Sequence, residues 1–179
     1  MKPSAPSSPG TESYSREVAK RPLRLICHSA GHVFGSFATH RETLAGYADA
    51  HLQCYPGSEL ALVAGLTKIL LDHQSIDPAF AARYSHALED LKRKLASYHL
   101  DYVSAATGIP SEALVEAACL IDEASSLNVL YGLGLIQSNH APEVLEGLIT
   151  LAHLKGGFAG SGCGIMPLYG GGNLQGAWD

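Results

Sequence analysis

Apolar residues recur through the middle of the chain with two spacings, and each spacing predicts one kind of element. Residues 60–65 are apolar on nearly every side, and Leu71 continues the buried stripe. This pattern predicts a buried helix that begins at Ser58, whose hydroxyl can cap the first free N–H groups. Leu88, Leu91 and Leu95 are spaced by three and then four residues in a stretch that is otherwise charged. This spacing predicts an amphipathic helix with one buried face.

Proline and small residues mark the ends of further helices. The Asp-Pro pair at 77–78 combines a capping carboxylate with a proline in the first turn. The Pro-Ser pair at 110–111 and the Ala-Pro pair at 141–142 are helix starts of the same kind, and the Gly-Gly pair at 156–157 closes the last helix. We therefore predict a long helical insert and, after it, one more helix.

Short runs of extended type flank this insert. We predict strands in RLICH at 24–28, in ADAHLQC at 48–54 and in LNVLYGLGLI at 127–136, the last a buried strand followed by a glycine turn. Residues 29–40 show no clear period and are predicted as loop, and the chain closes on a glycine-rich loop. The order of strands and helices predicts an α/β fold with parallel strand pairing.

Charge and cysteine content narrow the function classes. The chain of 179 residues carries 12 Lys and Arg against 17 Asp and Glu, which argues against a nucleic-acid partner. Its 4 cysteines stand far apart without a C-x-x-C pair, so we expect free buried thiols and no iron-sulfur or zinc site. Residues 1–22 are rich in Ser and Pro and are predicted to be disordered, and no signal peptide precedes the fold, which predicts a soluble cytoplasmic protein.

Three features are candidates for chemistry. The turn at 56–59 feeds a helix start, where N–H groups and the helix dipole favour an anion, although most such turns are plain caps. The strand running into two glycines at 131–137 ends where ligands bind in α/β sheets, with a structural turn as the alternative. His28, His32 and His40 form a histidine group in which His28 and His32 have the spacing of metal ligands on a helix. A partly exposed polar loop is the simpler interpretation.

The terminal run is the fourth candidate. Gly170, Gly171 and Gly172 let the main chain approach a ligand closely, and the amides of Asn173 and Gln175 can contact a flat polar group. No Ser-His-Asp or Cys-His set and no paired carboxylates are recognisable, so we predict no catalytic residue. Pattern alone predicts an α/β domain that binds a nucleotide-like ligand.

Four stretches in order resemble the molybdopterin-dependent oxidoreductases and, within them, the large catalytic subunit of formate dehydrogenase. They are the Ala-Asp pair, strand and Pro-Gly-Ser turn in 41–70, the helical stretch 77–121, the Gly-x-Gly-x-x-Gln motif in 129–140, and the helix and Pro-x-x-Gly segment in 145–179. SFATHRE at 36–42 is similar to the nitrate reductase branch. The resemblance covers residue 36 to the end.

The resemblance implies a Rossmann-like parallel sheet with a helical insert, forming a partial oxidoreductase domain at 23–179. It also implies a molybdenum cofactor, the bis(molybdopterin guanine dinucleotide), whose guanosine end lies against the strand-end loop and the Pro-Gly-Ser turn. The positions that match cofactor-binding motifs of the family are Ser36, Phe37, Ala38, Thr39, His40, Gly57, Ser58, Glu59, Leu133, Gln137, Gly170, Asn173 and Gln175.

The chain departs from the family at positions that matter for chemistry. Tyr169 stands where the family has the arginine that steadies the substrate anion, and a phenol cannot replace that permanent cation. Ala38 replaces an acidic residue, Glu59 replaces a shorter Asp, and Lys155 begins a sequence that replaces Thr-Gly-Asn. The family's iron-sulfur domain, its metal-ligating Cys or selenocysteine, and its C-terminal pterin domain have no counterpart in this sequence.

We therefore expect a middle portion of a formate dehydrogenase-like subunit that helps to bind the cofactor and does not turn over alone. Its expected partners are the remainder of such an oxidoreductase or other electron-transfer subunits. The alternative is a non-catalytic large-subunit segment of a complex I-type NADH:quinone oxidoreductase. Such subunits keep this architecture and have often lost the substrate-binding residues, and Tyr169 in place of the arginine fits this alternative.

Overall fold

The computed structural model describes residues 35–38, 48–124, 127–136, 138–155 and 164–168. The predicted strand at 24–28, the predicted disordered segment at 1–22 and the histidine group His28, His32 and His40 lie outside these residues.

Eleven elements follow one another along the described residues. The strands are β1 (Gly35–Ala38), β2 (Ala50–Gln53), β3 (Asn128–Gly132) and β4 (Gly164–Leu168). The helices are α1 (Glu59–Asp72), α2 (Pro78–Arg83), α3 (Ser85–Leu95), α4 (Leu100–Thr107), α5 (Ser111–Glu123), α6 (Leu133–Ile136) and α7 (Ala141–Leu154).

The predicted helix starts are confirmed, with one correction to a cap. The carboxylate of Asp77 accepts a 2.8 Å hydrogen bond from the amide of Phe80 and so caps α2 as expected. The hydroxyl of Ser58, by contrast, makes no capping bond to α1; it donates instead to the carbonyl of Tyr55 at 2.7 Å. The turn at 56–59 was predicted, but the sequence did not show that it brings the carbonyl of Tyr55 within reach of this hydroxyl.

Helix α1 is the centre of the main core, as its all-round apolar pattern predicted. Leu66 and Leu70 on this helix are fully buried and pack with Leu52 of β2, Val103 of α4 and Leu114 of α5. A second group, in which Leu88 of α3 meets the C-terminal ends of α1 and α7, is buried as the 88–91–95 spacing predicted. The helical insert therefore buries its apolar residues together with side chains of β2 and α7.

The four strands form two separate sheets of two parallel strands among the described residues. β1 pairs with β2, and β3 pairs with β4. Parallel pairing is confirmed, and so is a mixed α/β fold, but these two pairs do not establish the single Rossmann-like sheet that we expected.

Three predictions about extended segments are wrong. Gly35–Ala38, predicted as loop, is a strand, because pairing with β2 compensates for a sequence without alternation. Gly164–Leu168, within the predicted terminal loop, is also a strand; Pro167 in its middle disfavours this prediction and is tolerated in an edge strand. β3 alternates between half-buried and exposed residues instead of being buried, and the short helix α6 replaces the glycine turn after it.

No helix among the described residues is long and apolar enough to cross a membrane.

Candidate functional site

The carboxyl ends of β1 and β2 lie side by side. Ala38 is the register partner of Gln53, so the chain leaves both strands at the same edge of the sheet. Ser36, Phe37 and Ala38 lie in β1, while Thr39 and His40 directly follow it and lie outside the described residues. β2 leads into the turn that carries Gly57, Ser58 and Glu59. The register therefore brings two of the predicted binding segments to one edge, where α/β sheets bind ligands.

The turn after β2 has a backbone that is accessible from outside. Gly57 has a φ of +84°, a conformation that L-residues rarely adopt, and no atom would lie within 4 Å of a Cβ placed there. Both the amide and the hydroxyl of Ser58 donate to the carbonyl of Tyr55, at 3.1 and 2.7 Å. The turn is therefore held from inside while its outer surface at Gly57 stays open.

The carboxylate of Glu59 places hydrogen-bond acceptors at the start of α1. One oxygen of its carboxylate accepts from the amide of Gly57 at 3.2 Å. The negative charge thus already lies at the N-terminal end of α1, where the helix dipole favours it. A carboxylate in this place repels phosphate and accepts hydrogen bonds from N–H or O–H groups. The geometry favours a ligand group rich in donors over the free anion that the turn alone suggested.

Cys54, between β2 and the turn, is a neutral thiol. Burial and, next in importance, the negative charge of Glu59 raise the pKa of this thiol, against the lowering by its hydrogen bond with Ser58. The thiolate is the form that attacks or binds metals. Cys54 is therefore a buried structural residue, and it is one of two free cysteines, with the exposed Cys119, among the residues described.

Tyr55 and Gly108 support the turn, and the sequence analysis missed both. The amide of Tyr55 donates to the carbonyl of Thr107 at 3.0 Å. A Cβ on Gly108 would lie 2.4 Å from Cζ of the Tyr55 ring, and Gly108 has a φ of +74° at the end of α4. A glycine that follows a helical stretch and precedes Ile-Pro is a C-terminal cap signal that would have indicated this position.

The carboxyl ends of β3 and β4 form the second edge. Gly132 is the register partner of Leu168, so these parallel strands also end together. Leu133 is the first residue of α6 after β3. Gln137 lies outside the described residues, as do Tyr169, Gly170, Asn173 and Gln175 of the segment after β4. The segments that carry both motifs therefore follow the same end of one parallel sheet.

One apolar group connects the two edges. The buried side chains of Val63, Val144 and Leu148 form one cluster. Leu60, the second residue of α1, and Leu135 of α6 both pack against this cluster. The start of α1, next to Glu59, and the segment after β3 are therefore anchored on a common core.

A shallow groove lies elsewhere on the surface. It has a volume of about 180 Å³ and is lined by the C-terminal half of α1 together with Tyr98, Leu100 and Val115. Its main charged group, the ammonium of Lys68, is paired with Asp72 at 2.8 Å. The groove contains no residue of the strand ends, so it is a separate feature of the surface.

Metal-ligating side chains do not cluster in the part of the chain that the structure covers: it contains no group of three or more His, Cys, Asp or Glu residues suited to a metal ion.

Comparison with known proteins identifies relatives over most of the chain. No family model matches. F420-dependent formate dehydrogenase subunit alpha of Methanocaldococcus jannaschii is 30% identical over 139 residues, which are 78% of this chain and 21% of that protein. Formate dehydrogenase H of Escherichia coli is 29% identical over 135 residues, 75% of this chain and 19% of that protein. The chain thus spans about one fifth of the length of the relatives it matches.

A solved structure is similar to this chain in its fold. Acetylene hydratase from Pelobacter acetylenicus superposes with a TM-score of 0.67 at 20% identity, over 72% of this chain and 18% of that one. At this identity the likeness concerns the fold. The relatives confirm the resemblance to molybdopterin-dependent oxidoreductases of the formate dehydrogenase type. They give no support to the alternative of a NADH:quinone oxidoreductase segment.

Proposed function

We propose that this chain supplies part of the shell that binds a molybdopterin guanine dinucleotide in a formate dehydrogenase-like oxidoreductase. The observation that carries the proposal is the register of the two parallel strand pairs. In support of it, the turn with Gly57 and Glu59 follows β2, and Leu133 follows β3, while Leu60 and Leu135 pack against one common cluster. Carboxyl ends of parallel strands are the place where such folds bind dinucleotides.

The residues of the β2 turn fit the guanosine end of this cofactor. Open space above Gly57 lets a flat or branched group approach the main chain. The Glu59 carboxylate, held by the Gly57 amide, has a second oxygen that can accept from the N–H groups of guanine or the hydroxyls of ribose. Glu59 would therefore recognise the nucleoside, and Gly57 would admit it. The cofactor itself supplies the redox chemistry when bound.

Substrate chemistry is not assigned to this chain. Tyr169 occupies the position of the family's substrate-binding arginine, and a neutral phenol does not hold a formate anion in the same way. We therefore propose a chain that does not turn over formate alone and acts in the cytoplasm with the remainder of an oxidoreductase or with other electron-transfer subunits.

Titration of the purified chain with guanosine monophosphate, followed by calorimetry, tests the nucleoside-binding role. We expect guanosine monophosphate to bind more tightly than adenosine monophosphate, because guanine presents two adjacent donors to a carboxylate. Glu59→Gln removes the charge-assisted bonds and should weaken guanosine monophosphate about tenfold or more.

Glu143→Gln is the matched control for this titration. Glu143 lies in the first turn of α7, a helix of the same 14-residue length as α1. The control should leave the affinity for guanosine monophosphate unchanged. Equal affinity for the two nucleotides, or equal losses in the two variants, would refute the assignment of Glu59.

A further inference from the structure

Tyr55 combines a highly exposed side chain with a firmly held main chain. The residue is 60% exposed, more than any other large hydrophobic residue that the structure describes. Its amide donates to the carbonyl of Thr107 at 3.0 Å, and its carbonyl accepts from both the amide and the hydroxyl of Ser58. A tyrosine on a fixed backbone offers a large contact area at a low cost in conformational entropy.

One face of the Tyr55 ring lies against Gly108. A Cβ placed on Gly108 would lie 2.4 Å from Cζ, 2.6 Å from Cε2 and 2.8 Å from Oη of the tyrosine. Cζ is bonded to the other two atoms and is nevertheless the nearest of the three, so this position lies above the plane of the ring and not beyond its edge. Because one face is covered in this way, most of the exposed area of Tyr55 belongs to the opposite face.

The residue under the ring is one that leaves room for it. Gly108 follows α4 at a φ of +74°, a conformation that L-residues rarely adopt. A β-carbon at this position would occupy the space of the Tyr55 ring. The free face of the ring is therefore oriented before a ligand binds, and such preorganisation lowers the cost of binding.

This ring belongs to the same turn as the groups assigned to the nucleoside. The hydrogen bond from the Ser58 amide to the Tyr55 carbonyl, at 3.1 Å, closes a four-residue turn, whose ends lie within about 7 Å of each other. Gly57 in this turn is open on its outer side, and the carboxylate of Glu59 accepts from its amide. Proteins bind unpaired bases by stacking them on aromatic side chains while polar groups contact the base edge.

We propose that the free face of Tyr55 stacks on the purine base of the bound nucleotide, while Glu59 accepts from the edge of the same base. The inference rests on the proposed function, since it concerns the same site, and it separates two tasks within that site. Stacking uses the aromatic face that every base has and therefore tolerates different bases. The carboxylate responds to the donors of the base edge. Tyr55 thus sets the affinity for purine nucleotides, and Glu59 sets the preference for guanine.

Calorimetric titration of the full chain with guanosine monophosphate and with adenosine monophosphate tests this assignment. Tyr55→Ala should weaken the binding of both nucleotides about tenfold and leave the ratio of the two affinities unchanged. Tyr55→Phe keeps the ring face and should retain both affinities within about twofold. Tyr55→Leu keeps an apolar side chain next to Gly108 without an aromatic face, and it should lose as much affinity as Tyr55→Ala.

Tyr102→Ala is the matched control. Tyr102 is another exposed tyrosine, 47% accessible, and its ring contacts the rings of Tyr98 and His99. This variant should leave both affinities unchanged. Full affinity in Tyr55→Leu, a loss in Tyr55→Phe as large as in Tyr55→Ala, or an equal loss in Tyr102→Ala would overturn the stacking.

The same titrations distinguish this inference from the proposed function. Glu59→Gln should reduce the preference for guanosine monophosphate over adenosine monophosphate, whichever residue stacks on the base. A reduced preference in Glu59→Gln, together with full affinity in Tyr55→Ala, would refute only the stacking. Equal binding of the two nucleotides by the unmodified chain, with both weakened in Tyr55→Ala, would refute only the assignment of Glu59. Binding of neither nucleotide would refute both.

Discussion

The helical insert and the β3–β4 sheet differ in how completely their apolar side chains are buried. Around α1, side chains such as Leu70, Val103 and Leu114 are completely buried by other helices of the same chain. In the sheet, one face packs on that helical body and the other presents Leu130 and Met166 outward. The difference shows that the described helices bury their largest apolar side chains completely, whereas one face of the sheet keeps large apolar side chains exposed.

The largest expected effect lies in the helical core. Leu70→Ala should lower the free energy of unfolding by about 2–5 kcal/mol, because it leaves a cavity among side chains that have no exposed surface. Chemical denaturation followed by circular dichroism measures this change. A loss below about 1 kcal/mol would mean that the helical insert is loosely packed, and the comparison between the two regions would fail.

A smaller loss is expected where two helices touch through a glycine. A Cβ on Gly65 would lie 2.6 Å from Cγ1 of Val103, which is fully buried and cannot move away. Gly65→Ala should therefore cost about 1–3 kcal/mol of stability despite the better helix propensity of alanine. Gly134→Ala in α6, where no atom lies within 4 Å of the added carbon, is the control and should not lower the melting temperature.

An ionic contact at the helix ends should contribute less and should depend on pH. The ammonium of Lys155 donates to the carbonyl of Asp122 at 2.7 Å and lies 3.4 Å from its carboxylate, and Ser75 donates to the same carboxylate. The hydrogen bond from Ser75 is the main cause that lowers the pKa of Asp122. Burial, the next cause in size, opposes it, and the hydrogen bond and the charge of Lys155 lower the pKa further.

Because the folded pKa lies below the unfolded one, this contact stabilises the protein above the unfolded pKa and is lost as pH falls through the folded value. The carboxylate is 45% exposed, so Asp122→Asn should cost about 1 kcal/mol or less at neutral pH. Denaturation curves at neutral and at strongly acidic pH measure the free energy of unfolding of the variant and of the unmodified chain. The difference between these two free energies should disappear in acid. A difference that persists in acid would contradict the electrostatic origin.

The smallest effect is expected at Leu130, on the exposed face of the β3–β4 sheet. Leu130→Ala should change the stability of the chain alone by no more than about 0.5 kcal/mol, because this side chain is already half exposed. The same Leu→Ala substitution is thus expected to cost much stability at position 70 and almost none at position 130. A loss of more than 2 kcal/mol at Leu130 would remove the distinction.

The sequence predicted the helical insert well, for physical reasons that are local. The Asp77 cap and the 88–91–95 spacing depend on neighbours along one helix, and both are confirmed. β4 was missed because its strand state depends on pairing with β3, while Pro167 locally disfavours it. Exposure of Leu130 was missed because an apolar run does not show which of its two faces is covered.

In the candidate site, too, local features were predicted from the sequence, whereas contacts between side chains and backbone were not. The residue pattern located the turn at 56–59, and the resemblance related it to the cofactor. Only the structure shows that the Glu59 carboxylate accepts a hydrogen bond from the Gly57 amide. Tyr55 and Gly108 are distant in sequence. A helix-cap signal indicates the position of Gly108, but no local pattern predicts its contact with the Tyr55 ring.

Hydrogen exchange of the chain with and without guanosine monophosphate tests the central claim most directly, because it locates the nucleotide on the sequence. The account predicts slower exchange in peptides covering residues 54–61 and 133–140, which follow β2 and β3, and no change on the groove lined by Lys68, Tyr98 and Val115. Protection confined to that groove, or no protection anywhere at saturating nucleotide, would contradict a guanosine site at the strand ends.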